Sequence, residues 1–238
     1  MKGLRMSMTV LLLASVSMAA NVELSPGDDV ATLTGALGPG DRVTFNEGVY
    51  ELESGLSWSD VLGTEDEPVE FIANGQVWLQ YEGSGRVATL SNSTHVHFSG
   101  IGFRSVEGAE TQPGGIQVST STGVVIEDCQ FEELGNTAVY FSGDSRDAVI
   151  RGNRIQGIHK YQGIYLGCSD ASCWSIGAVI EHNLITDIDG DSAAGIVVDN
   201  GGTENLIQDN VLVDILGPGI RVRSTEFNSA NEVIGNAI

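Results

Sequence analysis

The amino-acid sequence predicts an all-β fold, a right-handed parallel β-helix (solenoid), from three observations. A short strand pattern recurs at intervals of roughly 24 to 30 residues after residue 95, a period typical of solenoid proteins. A second strand pattern follows every copy except the last. The connecting segments are rich in Gly, Asn and Asp, and helical periodicity is nearly absent after residue 40. We therefore expect a chain that winds in stacked turns, each built from short strands.

The first repeated strand carries apolar residues at its third and eighth positions. Its copies read VHFSGIGF, VVIEDCQF, AVIRGNRI, AVIEHNLI, NLIQDNVL and NEVIGNAI. The sixth position is Asn in the last four copies, namely Asn153, Asn183, Asn210 and Asn236. Because equivalent residues of stacked turns lie about 4.8 Å apart, these side chains can hydrogen-bond along the stack. We interpret them as structural, with Cys129 and Ile101 as buried apolar substitutes in the two earlier turns.

The second repeated strand predicts the exposed surface on which the protein acts. Its copies read GIQVST, AVYFSG, GIYLGC, GIVVDN and GIRVRS. Period-two alternation buries the aliphatic positions and leaves two outward columns. One column is Gln117, Tyr140, Tyr165, Val197 and Arg221, and the other is Ser119, Ser142, Gly167, Asp199 and Arg223.

The two ends of the chain differ from the repeats. Residues 1–20 combine Lys2 and Arg5 with a short apolar run and small residues, which is typical of a secretory signal peptide. The protein is therefore expected to be secreted or periplasmic. Residues 21–238 are predicted to form a single β-helix domain, whose apolar N-terminal end is covered by a short amphipathic helix in DDVATLTGAL.

The last repeat ends at Ile238 without a comparable cap. An uncovered end invites aggregation, so we expect a domain that is truncated at its C-terminus. A full-length chain that carries a C-terminal cap is expected to be a monomer.

The charge balance bears on the partners of the protein. The formal net charge is −21 at pH 7, with 11 Lys and Arg against 32 Asp and Glu. Such a field opposes nucleic acids and anionic membranes. The acidic residues are dispersed rather than gathered in one tail, which is typical of a well-hydrated surface. We expect neither a nucleic-acid partner nor membrane insertion.

Two of the three cysteines are close in sequence. Cys168 and Cys173 flank the segment SDAS, and an oxidising compartment would let them pair across that loop. We predict this disulfide over free thiols. Without nearby His or Cys partners the two make a poor zinc site, and no metal ligand is assigned.

Further motifs carry a family resemblance. LGPGDRVTFNEGVYEL is followed by GTEDEPVEFIANG and then STHVHFSGIGF, and GIYLGCSDASCW comes later. In this order they resemble the opening of right-handed parallel β-helix proteins of the pectate-lyase-like superfamily. The similarity is to the alginate lyase and chondroitinase B family and its uncharacterised secreted bacterial relatives. One such scaffold hosts lyases, hydrolases, epimerases and binding proteins, so the resemblance bears mainly on the fold.

The resemblance also implies a reaction and candidate catalytic residues. In that family a Lys and an Arg on neighbouring turns act as base and acid in β-elimination from a uronate. Arg223 in GIRVRS matches the family Arg. Tyr165 is the second catalytic candidate from its column position, and His159 and Lys160 in the preceding loop are the alternative acid and base candidates. The Lys position falls at or near Asp199, and this chain has no Lys there.

Calcium enters only through the same resemblance, because in that family it offsets the uronate carboxylate. Asp187, Asp189 and Asp191 offer oxygen ligands, but they lack the spacing of a known calcium loop. No cofactor is therefore assigned from the residues themselves.

Two functions remain open. In the first, the outward face binds an extracellular, acidic polysaccharide and cleaves it by β-elimination if the protein is an enzyme. There, tyrosines stacked one turn apart would face sugar rings, and arginines would hold a carboxylate or sulfate. The residues expected to bind the polysaccharide are Tyr140, Asp199, Arg221 and Lys160. In the second, the protein is a non-catalytic adhesion or structural solenoid. A groove walled by loops favours the first function, and a flat convex face favours the second.

Overall fold

The computed structural model describes residues 19–33, 37–170, 172–223 and 230–238. The predicted signal peptide lies outside these residues, apart from Ala19 and Ala20. Within the described residues, no helix is long and apolar enough to cross a membrane.

The described chain consists of short strands joined by turns. In chain order these are β1 (Asn21–Leu24), β2 (Arg42–Leu52), β3 (Leu56–Ser59), β4 (Val69–Tyr81), β5 (Arg86–Ser91), β6 (Val96–Ser105), β7 (Gly114–Ser119), β8 (Val125–Glu127), β9 (Gln130–Leu134), β10 (Val139–Ser142), β11 (Ser145–Arg146), β12 (Val149–Arg151), β13 (Arg154–Ile158), β14 (Gln162–Leu166), β15 (Ser175–Ile176), β16 (Val179–Glu181), β17 (Leu184–Ile188), β18 (Ala194–Val198), β19 (Gly202–Thr203), β20 (Leu206–Gln208), β21 (Val211–Ile215), β22 (Ile220–Val222) and β23 (Glu232–Ile234). Every pairing between them is parallel, which confirms the predicted parallel β-helix.

The strands form three sheets along the solenoid. Within the described residues, a 13-stranded sheet contains the first repeated strands, and a 7-stranded sheet contains the second, in the order β22-β18-β14-β10-β7-β5-β3. A 3-stranded sheet joins β11, β15 and β19. Equivalent residues stack in register, so that Ile126, Ile150 and Ile180 form one buried row of the core. The repeat spacing therefore sets the register of the whole molecule.

The bend inside each first repeat has a local cause. The fifth residue of every copy lies in the left-handed region of the backbone, which suits Gly and, among other residues, Asn, Asp and His. These residues are Gly100, Asp128, Gly152, His182, Asp209 and Gly235. Because of this bend, the side chain of the sixth residue points into the interior of the solenoid.

The predicted asparagine ladder is confirmed at this bend. The side-chain amide of Asn153 donates to Asn183 at 2.9 Å, and Asn183 and Asn210 repeat this contact to the next Asn at the same distance. Cys129 continues the row as a buried residue, and its backbone N–H donates to Asn153 Oδ1 at 2.9 Å. A second, shorter ladder joins Asn205 to Asn231 at 2.9 Å, and sequence reasoning did not identify it.

The N-terminal end of the core is covered as predicted, but by a smaller element. Val30–Thr32 form a single 3₁₀ turn, whose cap is the Asp29 side chain accepting from the Ala31 N–H at 3.1 Å. Val30 and Leu24 of the preceding β1 are buried against the core. Residues 34–36 of the predicted helix lie outside the described residues.

Candidate functional site

The outer face of the 7-stranded sheet carries the first predicted column. Tyr140 pairs with Tyr165 in register, Tyr165 with Val197, and Val197 with Arg221. The inward neighbours on these strands, such as Ile164 and Ile196, are fully buried. The alternation therefore places the two tyrosines and Arg221 at the surface as the sequence predicts, whereas Val197, predicted to face outward in the same column, is fully buried.

This surface is a groove rather than a flat face. It is open to solvent and has a volume of about 750 Å³ over β10, β14, β18 and β22. Its walls are the segments that precede and follow these strands, at residues 136–137, 161–162, 168–170, 172 and 191–192. Hydrogen bonds link three of these segments, because Thr137 Oγ1 donates to Gln162 Oε1 at 3.1 Å and Gln162 Nε2 donates to Ser192 O at 2.8 Å.

Asp199 lies at the floor of the groove and is not an exposed residue, contrary to the expectation from its column. Its side chain is only 2% exposed. It accepts hydrogen bonds from the Tyr165 hydroxyl at 2.7 Å and from the Asn200 backbone N–H at 2.9 Å. The guanidinium of Arg223 lies 3.5 Å away. These partners occupy the carboxylate, so Asp199 positions its neighbours and has little freedom to contact a ligand itself.

Tyr165 and Tyr140 are neighbours but do not stack face to face. They lie in register one turn apart as predicted, but their ring centroids are 5.2 Å apart and their planes meet at 69°, so the rings are not parallel. An edge-to-face arrangement is favoured because the positive edge of one ring meets the negative face of the other. Burial and the hydrogen bond to Asp199 raise the pKa of Tyr165, and burial raises that of Tyr140. Both hydroxyls therefore keep their protons near neutral pH.

Arg86 is a groove residue that sequence reasoning missed. It begins β5, three strands before Tyr165 in the sheet, yet its guanidinium carbon lies 5.3 Å from the centroid of the Tyr140 ring. Its Nη1 donates to Thr137 O at 2.8 Å. Column analysis could not find it, because Arg86 pairs with Gly114 and stands in neither outward column.

Two other candidates lie away from the groove lining. The Lys160 ammonium lies 5.3 Å from the ring centroid of Tyr161, on an exposed turn, and Lys160 does not line the groove. The neighbouring His159 contacts Glu133 at 3.0 Å and Asp189 at 3.4 Å. In the described part of the chain Lys160 thus approaches the groove only through Tyr161, and its predicted binding role stays a prediction.

The loop that forms one groove wall is closed by a disulfide between Cys168 and Cys173. Cys168, Ser169, Asp170 and Ser172 line the groove. The third cysteine, Cys129, is free and fully buried, and burial raises the pKa of its thiol to about 12. The reactive thiolate form of Cys129 is therefore suppressed.

The acidic run on the next turn is dispersed in space. Asp189 contacts His159, and Asp191 lines the groove. Across the described residues, no three His, Cys, Asp or Glu side chains lie close enough together to hold a metal ion. Calcium therefore has no site formed by three such side chains in the described part of the chain.

The family assignment rests on a match over most of the repeats. Residues 70–238 match the family described as the right-handed β-helix region. The chain belongs to this family. Membership gives the hand of the solenoid and agrees with the stacked parallel turns. No curated protein sequence matches this β-helix chain.

Solved structures of similar fold include an alginate lyase from Paenibacillus sp. str. FPU-7. It is 18% identical, the match covers 91% of this β-helix chain and 75% of that chain, and the TM-score is 0.69. An alginate lyase of the PL6 family, AlyGC, is 13% identical over 90% of this chain and 40% of that chain, with a TM-score of 0.48. A surface adhesin of Streptococcus pneumoniae is 10% identical over 87% and 70%, with a TM-score of 0.46. At these identities the likeness concerns the fold alone.

The groove of this β-helix protein combines two kinds of chemistry. Tyr140 and Tyr165 supply aromatic surface and hydroxyl groups, and Arg86 and Arg221 supply guanidinium donors. The predicted catalytic pair, Tyr165 and Arg223, lies in the groove, but both contact Asp199. The arrangement is therefore suited to binding a polar ligand with flat apolar faces.

Proposed function

We propose that this protein recognises an extracellular polysaccharide in the groove over β10, β14, β18 and β22. The observation that carries the proposal is the loop-walled groove of about 750 Å³ above the two tyrosines. A loop-lined groove favours this function over a purely structural solenoid, because ligand sites are concave and carry a few convergent polar groups.

The lining suits a sugar chain. Pyranose rings have flat apolar faces, which aromatic side chains bind, and hydroxyl rims, which need both donors and acceptors. Tyr140 and Tyr165 supply the aromatic surface, and Asn136 and Asp170 supply polar groups at the rim. The groove runs along the strand stack, across several turns, so that it fits an extended chain better than a single sugar.

Cleavage by β-elimination is the catalytic form of this proposal. It requires a base that removes the proton beside a uronate carboxylate and an acid that protonates the leaving oxygen. Tyr165 is protonated and lies in the groove, but its hydroxyl already donates to Asp199 and its pKa is raised, so it gives up its proton reluctantly. The guanidinium of Arg223 lies beside Asp199 and neutralises its charge. Because a guanidinium stays protonated at neutral pH, Arg223 cannot readily act as the base. Recognition is therefore the better supported part of the proposal.

A glycan panel tests binding and cleavage together. Alginate, pectate, chondroitin and neutral glycans are offered with and without calcium, and binding is followed by affinity electrophoresis. Absorbance of the unsaturated product and reducing ends report elimination and hydrolysis. Binding without either product establishes a binding module. Absence of binding to every glycan, with a folded protein, contradicts the proposal.

Variants locate the binding in the groove. Tyr140→Ala removes aromatic surface from the floor and should weaken binding by about 10-fold, the effect of losing roughly 1.4 kcal/mol. Tyr81→Ala is the matched control, because Tyr81 is a half-buried tyrosine that does not line the groove. Equal affinities of the two variants and the wild type would place any bound glycan elsewhere.

Export is part of the same proposal. The disulfide in the groove wall is compatible with an oxidising compartment. Expression of the whole chain in a bacterial host should release a protein whose N-terminus begins after Ala19 or Ala20, as read by mass spectrometry. A cytoplasmic product that retains residues 1–20 contradicts it.

A further inference from the structure

The course of the Arg86 side chain is unusual for an outward residue of a β-helix. Arg86 pairs in register with Gly114 on the next strand, and beyond Gly114 the guanidinium reaches Thr137 O, which precedes β10. A Cβ atom at position 114 would overlap the guanidinium, since its three nearest atoms all belong to Arg86. Because Gly114 has no side chain, the Arg86 side chain passes over it. The guanidinium of β5 therefore lies beside Tyr140 of β10, two strands away in the sheet.

The charge of Arg86 has no partner of opposite sign within 4 Å in the described part of the chain. Arg42, Arg151 and Arg223 each lie within 4 Å of a carboxylate oxygen. Among the described residues, no carboxylate oxygen lies that close to Arg86, although its side chain is half-buried in the groove wall. Burial of a cation without a counter-ion is costly. Of the five N–H donors of Arg86, one has a hydrogen-bond acceptor among the described residues, the carbonyl of Thr137.

The neighbouring residues hold this cation in place. The face of Tyr140 attracts a guanidinium at this distance. Thr137 O fixes one end of the side chain, and Thr137 itself belongs to the hydrogen-bonded wall of the groove. Arg223 is not an equivalent cation, because Asp199 neutralises it.

We propose that Arg86 binds an oxyanion group of the ligand, a carboxylate or a sulfate, against the edge of Tyr140. This inference rests on the proposed polysaccharide recognition and specifies the part of the groove that selects charged sugars. The net charge of −21 repels an anionic glycan at long range. Selection must therefore come from a local, partly desolvated cation, for which planar guanidinium donors are well suited.

The same chemistry places a second cation at the opposite end of the tyrosine pair. Arg221 lines the groove, and its buried Nε has no hydrogen-bond partner among the described residues. Three strand spacings of about 4.8 Å separate its strand from that of Tyr140. Arg86 and Arg221 thus bracket the aromatic floor.

Two variants test Arg86 from different directions. Arg86→Gln removes the charge, and Gly114→Ala keeps the charge but blocks the path of the guanidinium, with no left-handed backbone to strain at position 114. Arg104→Gln is the matched control, because Arg104 also lies over an aromatic ring, that of Trp78 at 4.8 Å, but outside the groove. Dissociation constants are measured by calorimetry for alginate oligosaccharides, dextran sulfate oligosaccharides and neutral dextran.

The wild type and Arg104→Gln should bind a charged oligosaccharide more tightly than dextran. Both Arg86→Gln and Gly114→Ala should lose about 10- to 100-fold of that affinity, the worth of a charge-assisted hydrogen bond, and none for dextran. The glycan that shows the loss identifies carboxylate or sulfate as the group bound.

Other outcomes overturn the inference. Unchanged affinity for charged glycans in either groove variant overturns it and leaves polysaccharide recognition intact. Tighter binding of dextran than of both charged glycans by the wild type has the same effect. Failure of the folded wild type to bind any glycan overturns the proposed function together with the role of Arg86.

Discussion

At the scale of single residues, the carboxylate of Asp199 organises one end of the groove. It joins the hydroxyl of Tyr165, the backbone of Asn200 and the guanidinium of Arg223, three groups from three consecutive turns of the solenoid. A carboxylate that is nearly fully buried is tolerated because each partner donates to it or carries the opposite charge. Its removal should therefore disturb stability as well as the shape of the site.

Asp199→Ala should lower the free energy of unfolding by about 2 to 4 kcal/mol, because it leaves buried donors without an acceptor. Asp199→Asn keeps one oxygen acceptor and should cost roughly half as much. Urea denaturation followed by tryptophan fluorescence measures both. Equal stability of Asp199→Ala and the wild type would show that water replaces the carboxylate at no cost.

The contacts of His159 make the stability of the protein depend on pH. Burial lowers its pKa, but the hydrogen bond to Glu133 and the charges of Glu133 and Asp189 outweigh burial and raise it overall. Because the pKa is raised by folding, the contacts of protonated His159 stabilise the protein fully below the unfolded pKa of about 6.5. That stabilisation is lost as the pH rises through the folded pKa.

The variant His159→Asn should therefore lower Tm at pH 5.5 more than at pH 8.5. The side chains involved are 36 to 59% exposed, so the difference should stay below about 1 kcal/mol, or about 2 to 4 °C in Tm. His182→Asn is the control, since His182 is 64% exposed and its carboxylate neighbour lies at 3.9 Å. A larger effect at pH 8.5 would reverse the sign of this linkage.

At the scale of elements, the asparagine ladder pins successive bends together. Asn183 Oδ1 accepts from both the backbone and the side chain of Asn153, and Asn183 Nδ2 donates to Asn210 and to the carbonyl of Ile150. Each buried amide thus satisfies backbone groups that the bend removes from the sheet. The ladder is a continuous row of polar side chains beside the apolar rows of the core.

Asn183→Ala should cost about 2 to 4 kcal/mol of unfolding free energy, because several buried groups on two turns lose their partners. Asn74→Ala is the matched control. Its amide donates to Asn46 at 3.0 Å in an exposed pair, so its loss should cost less than about 1 kcal/mol. Similar losses in thermal or urea unfolding would mean that the ladder adds no more than a surface contact.

The elements also show which features sequence reasoning can find. The ladder from Asn153 to Asn236 and the tyrosine column follow from spacing alone, because stacking converts a sequence period into contact. The burial of Asp199 depends on side chains of adjacent turns, which no single period describes. Arg86 was missed for the same reason: its position reflects the absent side chain of Gly114, and the shorter ladder of Asn205 and Asn231 spans too few turns to produce a visible pattern.

At the scale of the whole molecule, the fold class was predictable because one repeat length fixes both register and core. Each turn contacts only its neighbours, so stability accumulates along one dimension. The N-terminal end is covered, whereas apolar side chains of the last described turn, including Leu216 and Ile238, are exposed by 73% and 77%. The dispersed negative charge acts on all turns at once.

Screening of this charge should stabilise the protein. With a net charge of −21, self-repulsion favours expansion, and sodium chloride weakens it. Raising the salt from about 10 mM to about 500 mM should raise Tm by roughly 2 to 4 °C, which corresponds to about 1 kcal/mol. Scanning calorimetry measures the shift, and sodium sulfate is avoided because exclusion of sulfate stabilises proteins by itself. A fall in Tm would indicate that attractive ion pairs outweigh the repulsion.

Gly114, opposite Arg86, influences which ligand is selected although it does not belong to the groove floor that holds the ligand. Any side chain at position 114 would redirect the guanidinium without altering a residue on the groove floor. A single substitution at position 114 would shift binding from charged to neutral sugars with little loss of stability in the stacked core. In a solenoid, the absence of a side chain on one turn can thus determine which ligand binds on the next turn.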